Sequence, residues 1–380
     1  MRGKNLDSET PRRIVIDLHG REREIELRLA AIEDYPDIID FRNRHYRIKR
    51  KPEHGIWEYA TYEPDKAVFL LAYDMDRIVG TAATIPIHMQ VGTESCLCGK
   101  LEQLFILPPY RGTSLFMASI RYLSYISVRR GMKFVWILTP LSRLPNRMGA
   151  RKFDDIQVLT RPGNMWVDTF SRLKDDATLW HRIGSAGKAI LKNAFARNNR
   201  TVLYVQKKAG YEIRKELIDT DQIMGLCERL NSKHQNVVSI RRDQKYLDWR
   251  VRRHPFLKYD EYQVQEGGEL RAYAFVTLSR GVAHISDILS EDKHATSLLL
   301  HTILTDHIGK AGRFRVLGNR KDVLAQDLFE QLNHFGFSVD EKAGKLWNFG
   351  IVDLTRNAEE SFFDIGNWHV TGLWTEGFLY

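Results

Sequence analysis

The chain has 380 residues, 43% of them hydrophobic and 28% charged, with a net charge of +9. That length fits two or three domains with sizeable cores, and that composition excludes a disordered chain. The longest apolar run, Ala67 to Tyr73, has seven residues and cannot span a bilayer.

Residues 1–21 read as an N-terminal extension with a first strand. Met1 to Arg13 carries Asp7 and Glu9 and no apolar stretch, so it is not expected to be a secretory signal. Next comes an apolar strand from Ala67, a polar turn at Asp74-Met75-Asp76, and a strand from Ile78 to Ala82. Leu101 to Leu107 reads as a strand, Ser114 to Arg130 as a helix ended by Gly131, and Phe134 to Leu138 as a strand. Cys96-x-Cys98 lies on one strand face without a partner pair. It reads as packing rather than as a metal site. With Cys227 the chain holds three cysteines, which excludes a disulfide scaffold and points to the cytoplasm.

The same order then recurs. The interval from Trp57 to Gly80 equals that from Trp249 to Ala272. Tyr262-Gln263-Val264, a turn at Gly267-Gly268, and Leu270 to Ala274 form a second hairpin. Ala283 to Leu289 reads as a strand, Thr296 to Lys310 as a helix stopping near Gly312, and Phe314 to Leu317 as a strand. Duplication explains the equal spacing. The expected partition is a domain over 22–167, a basic helical connector over 168–204, and a degenerate copy over 205–380.

Charge is unevenly distributed. Arg111 to Phe153 holds nine Lys or Arg and no acid, and His181 to Lys215 holds nine with one acid. The first basic stretch begins at Leu107-Pro108-Pro109-Tyr110-Arg111-Gly112-Thr113-Ser114-Leu115. This is a strand leaving through two prolines into a tight basic turn that opens a helix. Gly112 allows close backbone approach or positive φ, and Thr113 or Ser114 can cap the helix. First-turn amides at the positive end of a helix suit a phosphate, and Arg111 adds charge-assisted bonds.

This turn resembles the coenzyme A pyrophosphate turn of the GNAT-type N-acetyltransferase superfamily, Pro-x-Tyr-Arg-Gly-x-Gly. The sequence departs from it at the second glycine, here Ser114. The hairpin ending Arg77-Ile78-Val79-Gly80, the stretch Leu144 to Phe153 and Leu332-Asn333-His334-Phe335-Gly336-Phe337 also resemble family segments. The resemblance covers about 22–160 and 205–380 and is similar to two-domain members of polysaccharide or acyl-amide biosynthesis. It implies an α/β (α+β) fold of tandem GNAT-like domains, each a mixed, partly splayed sheet flanked by helices.

The resemblance further implies an acyltransferase that uses acetyl-CoA or another acyl-CoA as co-substrate, without a metal. An amine of a small acceptor, an amino sugar or amino acid, would attack the thioester directly. Phe105, Ile106 and Leu107 would line the pantetheine arm, a backbone amide on their strand polarising the carbonyl. Tyr110, Arg111, Gly112, Thr113, Ser114 and Leu115 would hold the pyrophosphate. Glu102 is the candidate base, or else a solvent-facing partner of Lys100 or Arg121. Asn146 would orient a water or the pantetheine, or is a plain turn residue. No tyrosine lies between Asn146 and Phe153, so the acid is unassigned.

The second copy has Ser290-Glu291-Asp292-Lys293 in place of the Arg-Gly turn, and its acids would repel a pyrophosphate. Only the first domain is therefore expected to bind coenzyme A. The basic 181–215 segment would dock an acidic acyl-carrier protein or an anionic membrane surface. The aromatic C-terminus, Asn367 to Tyr380, either closes an acceptor pocket through Glu376 or packs as a final strand. No nucleic-acid signature is present, and a homodimer is an open expectation. The alternatives are a carrier-protein-dependent long-chain N-acyl amino acid synthase, a non-catalytic acyl-CoA-binding module, and a tRNA-dependent aminoacyl transferase of related fold.

Overall fold

A computed structural model describes residues 10–46, 49–141, 143–164, 167–168, 210–234, 236–341 and 348–374. Nearly all of the basic connector, most of the 181–215 patch, and Glu376 lie outside these residues. In chain order the first elements are β1 (Arg12–Leu18), β2 (Arg21–Leu29), α1 (Tyr35–His45), α2 (Pro52–Ala60), β3 (Val68–Asp74), β4 (Arg77–Val91) and β5 (Glu94–Ile106). They continue with α3 (Leu115–Arg129), β6 (Phe134–Thr139), α4 (Leu144–Arg147), β7 (Arg151–Phe153) and β8 (Ile156–Pro162). After the connector come β9 (Tyr211–Lys215), α5 (Thr220–Lys233), β10 (Val238–Ile240), α6 (Gln244–Leu247), β11 (Tyr259–Glu266), β12 (Glu269–Ser279) and β13 (Val282–Ser290). The last are α7 (Lys293–His307), β14 (Arg313–Asn319), α8 (Gln326–His334), β15 (Ser338–Val339) and β16 (Asn348–Asp353).

The chain forms two compact units, and they do not follow the linear partition at 167 and 204. The first unit takes 1–89, 95–152 and 349–358; the second takes 90–94, 153–348 and 359–380. In the first sheet the strands run β1-β2-β3-β4-β5-β6-β16-β7, and in the second β15-β8-β14-β13-β12-β11-β9. The last strand of each half is thus seated in the sheet of the other. β16 lies between β6 and β7, and β8 lies between β14 and β15, antiparallel to both. Each exchanged strand fills the same slot in its sheet.

The first unit closes its core with α3. Leu115, Ser119, Tyr122, Leu123 and Ile126 recur every three or four residues and are buried, the stripe expected of a helix on a sheet. They pack on Leu70, Val79, Leu101 and Val135. In the second unit, Leu299, Ile303 and Leu304 of α7 pack on Tyr262, Ala274, Ile285, Phe314 and Val316.

Two helix ends differ from expectation. Gly131 adopts φ +89° after α3, as a left-handed cap should. The second helix instead stops at His307, capped by the amide of Ile308. Gly312 keeps ordinary φ and its amide donates to Gly281 at 2.7 Å. This helix also starts three residues earlier than Thr296, because Asp292 caps it.

Candidate active site

In the first unit β5 and β6 pair in parallel only at Gly99↔Val135 and Lys100↔Trp136. Beyond this vertex they part, and β5 stays with β4, where the Leu107 amide donates to Val79 at 2.9 Å. Close approach at the vertex requires glycine: a Cβ on Gly99 would sit 2.9 Å from Met132 Sδ and 3.0 Å from Val135 Cγ2. A small cavity of about 20 Å³ remains beside it, lined by Thr84, Leu101, Leu123, Ser127, Val135 and Met148. Thr84 Oγ1 and Ser127 Oγ share a buried hydrogen bond of 3.1 Å.

Three residues past the vertex Gln103 adopts φ +52°, a region costly for a side chain with Cβ. Its carbonyl accepts from the Thr81 hydroxyl at 2.7 Å, which fixes the irregular backbone. Neither Gln103 nor Thr81 stood out in the sequence, since an ordinary residue gives no local sign that it will take a glycine-like φ.

The expected phosphate turn is built as its residue types require. Pro108 to Tyr110 form one 3-10 turn, Gly112 has φ +85°, and α3 follows. Nothing lies within 4 Å of a Cβ built on Gly112, so the glycine is needed for its φ rather than for space. Thr113 Oγ1 donates to the Tyr110 carbonyl at 2.8 Å and accepts from the Leu115 amide at 3.3 Å. Ser114 is the N-cap residue but makes no side-chain cap bond. Tyr110 donates its hydroxyl to Asp74 at 2.6 Å, tying the turn to the β3–β4 hairpin. Burial and this carboxylate raise the pKa of the phenol, keeping it a protonated donor.

Arg111 donates Nε to the Ile106 carbonyl at 2.9 Å, and its guanidinium lies 5.5 Å from the centre of the Phe105 ring. Half of its fork therefore braces the strand. Phe105 also meets α1, with His45 stacked at 5.1 Å, Phe41 edge-on at 5.8 Å and Tyr46 at 5.5 Å. The Tyr46 pKa is raised, first by burial, with Arg42 acting against the shift. His45 and Tyr46 were missed because Arg42 to Arg50 reads in sequence as a solvated basic run. Ile106, Leu107 and Leu115 have core side chains, so only their backbone faces the site.

Glu102 ion-pairs with Lys100 at 2.6 Å. Lys100 is almost wholly buried, whereas Glu102 keeps 28% of its side chain exposed. Asn146 is exposed on the single turn of α4, one residue after the buried Pro145 and two before the cavity-lining Met148. The structure thus gathers 102–115 along one strand-and-turn path and carries Asn146 on a separate element.

The second unit has the same path with a different helix start. Asp292 Oδ1 accepts from the amides of His294 and Ala295 at 2.8 and 2.9 Å, which satisfies the start of α7 internally. Glu291 is bound by Arg229 and Arg271, which hold its carboxyl below the usual range against the opposing effect of burial.

A sheet splayed at its centre, with a basic Gly turn opening the adjacent helix, is the arrangement of an acyltransferase domain of the GNAT type. Residues 26–149 match the family model of the Acetyltransferase (GNAT) domain, which covers about a third of the chain and includes the splayed strands and the Gly turn. Solved structures share the fold. A probable N-acyltransferase from Enterococcus faecalis V583 has TM-score 0.59 and 10% identity, covering 87% of this chain and 73% of that one. A GCN5-related N-acetyltransferase from Anabaena variabilis has TM-score 0.58 and 12% identity, with coverage of 87% and 73%. N-myristoyltransferase from Saccharomyces cerevisiae, solved with myristoyl-CoA and inhibitors, has TM-score 0.54 and 12% identity, covering 87% and 80%. No curated protein matches the chain. Among the described residues no His, Cys, Asp and Glu cluster could hold a metal, and no helix is long and apolar enough to cross a membrane.

Proposed function

We propose that this enzyme transfers a short acyl group, such as acetyl, from coenzyme A to the primary amine of a small acceptor, an amino sugar or an amino acid. The observation that carries this reading is the contrast between two equivalent helix starts. α3 opens through Arg111 and Gly112 with no side-chain cap at Ser114, whereas Asp292 fills the start of α7. One anion site is open and the other is taken.

Acyl-CoA supplies the activated thioester carbonyl when bound. In this chain, the amides at the start of α3 and the guanidinium of Arg111 hold the pyrophosphate, which would displace the long 3.3 Å bond from the Leu115 amide to Thr113. The backbone of Phe105 to Leu107 runs beside the pantetheine arm. An amide near Gln103, fixed by Thr81, polarises the carbonyl. Glu102 takes the proton from the acceptor ammonium, with Lys100 keeping the carboxylate oriented, and Asn146 orients a water or the pantetheine. Positioning of the two reactants supplies much of the rate.

The test is thermal unfolding with acetyl-CoA, free CoA and longer acyl-CoAs. Saturating ligand at about 100 times Kd should stabilise the protein by ~2.7 kcal/mol. Arg111→Glu should abolish the shift. Wild-type protein that none of these ligands stabilises would remove the basis of the reading.

A further inference from the structure

The second unit keeps a cleft that the acyl-CoA reading does not use. β13 and β14 pair from Val282↔Arg313 to Ile285↔Val316 and then part, as β5 and β6 do. The C-terminal segment fastens to this diverging part. Asn319 Nδ2 donates to the carbonyls of Ile365 and Trp368 at 2.6 and 2.9 Å, and His369 Nδ1 bonds Asp322 at 2.6 Å. Trp368 and Trp374 are fully buried.

Beyond this segment a pocket of about 240 Å³ remains, bounded by the end of β13, the first turn of α7 and the start of α8. It is smaller than the ~300–1,000 Å³ sites of drug-sized ligands. Leu230, Leu324 and Leu328 give it an apolar lining. Its polar lining has two signs. Lys233 and His234 stand at the end of α5, and Asp327 stands in the first turn of α8. Glu291 is bound by Arg229 and Arg271 and lies 3.6 Å from Lys233 Nζ, and Asp327 lies 3.5 Å from Lys293 Nζ, so a ligand would share Lys233 and Asp327 with these partners. Asp292 occupies the helix amides that would hold a phosphate, so the pocket has no place for a polyanion.

An apolar lining with a lysine and a histidine on one element and a carboxylate on another fits a small molecule that carries both charges and an aliphatic body. We propose that this pocket binds a zwitterionic aliphatic α-amino acid, its carboxylate toward Lys233 and His234, its ammonium toward Asp327, and its side chain against Leu230, Leu324 and Leu328. The site is independent of the acyl-CoA reading, and its test does not pass through catalysis.

Calorimetric titration of the full chain with L-leucine should give saturable binding. Leucinamide, N-acetyl-leucine and glycine, each lacking one of the three recognised features, should bind at least about tenfold more weakly. Lys233→Glu should weaken leucine by about tenfold or more. Leu324→Trp, which fills the pocket, should abolish it while leaving the thermal shift with acetyl-CoA unchanged. Lys233 is 56% exposed, so its variant reports on the site even if Leu324→Trp misfolds. No saturation by leucine up to about 10 mM, leucinamide binding as tightly as leucine, or undiminished binding to Lys233→Glu would each overturn the proposal.

Discussion

The carboxylate of Glu102 lies 2.6 Å from the ammonium of Lys100, a side chain almost wholly removed from water. The proposed base is therefore also the counter-charge of a buried lysine. Glu102→Gln should lower turnover with little change in coenzyme A binding, and it should also destabilise the fold by ~1–3 kcal/mol, because a buried charge loses its partner. Adding Lys100→Met should restore stability and leave turnover low. Urea unfolding and steady-state kinetics of the two variants separate the roles. Turnover that recovers together with stability would leave Glu102 only structural.

The turn at Gly112 makes a conformational prediction. At φ +85° alanine costs ~1–2 kcal/mol although its methyl would meet nothing within 4 Å. Gly112→Ala should therefore show reduced stability and a larger loss of coenzyme A affinity, since the strained turn relaxes away from the helix start. Parallel thermal melts with and without CoA measure both effects.

Gly99 makes a steric one. Its Cβ would press on Met132 and Val135 at about 3 Å, where β5 and β6 are held together. Gly99→Val should cost ~1–3 kcal/mol by overpacking and widen the vertex. Combining it with Val135→Ala should recover part of the loss, as a double-mutant cycle would report.

The exchange of β8 and β16 makes a prediction about cooperativity. Removing residues 348–358 takes a strand from between β6 and β7 in the first unit, exposing two edges. That variant should lose coenzyme A binding even though it keeps every residue from 102 to 115. Chemical denaturation of the intact chain should give coincident transitions by Trp fluorescence and circular dichroism.

His284 sets a pH dependence. Burial, then the nearby Arg315, push its pKa down to about 3 from 6.5. The folded state therefore keeps this imidazole neutral, while the unfolded chain protonates it below pH 6.5. Stability is fully present above 6.5 and falls as pH drops toward 3, by about 1.4 kcal/mol per pH unit from this group. His284→Gln should flatten the stability profile between pH 6.5 and 4. An unchanged slope in denaturant melts across that window would exclude His284 as its source.

Several features were legible in the order of residues. Equal spacing from Trp57 and Trp249 gave the duplication, because hairpins, turns and helix stripes are local patterns. The Gly turn that opens a helix was legible in Pro108 to Ser114, and a different helix start in Glu291-Asp292, because each depends on neighbours along the chain. The pairing of Glu102 with Lys100 was legible as two residues on one strand face. The aromatic C-terminal segment has Trp368 and Trp374 buried in the second unit, in keeping with packing.

Tertiary structure decided the rest. Any strand of suitable apolar pattern could fill the slot beside β6 or β14, so only long-range pairing could choose β16 for one and β8 for the other. Burial of Lys100, the φ of Gln103 and the ring of aromatic contacts around Phe105 are set by elements distant in sequence. The sequence by itself determined that one helix opens through a basic glycine turn and the other behind a capping aspartate. The fold decided the geometry around that start: where the sheet opens, which glycine closes its vertex, and that a cleft of the other copy retains a pocket with both signs of charge.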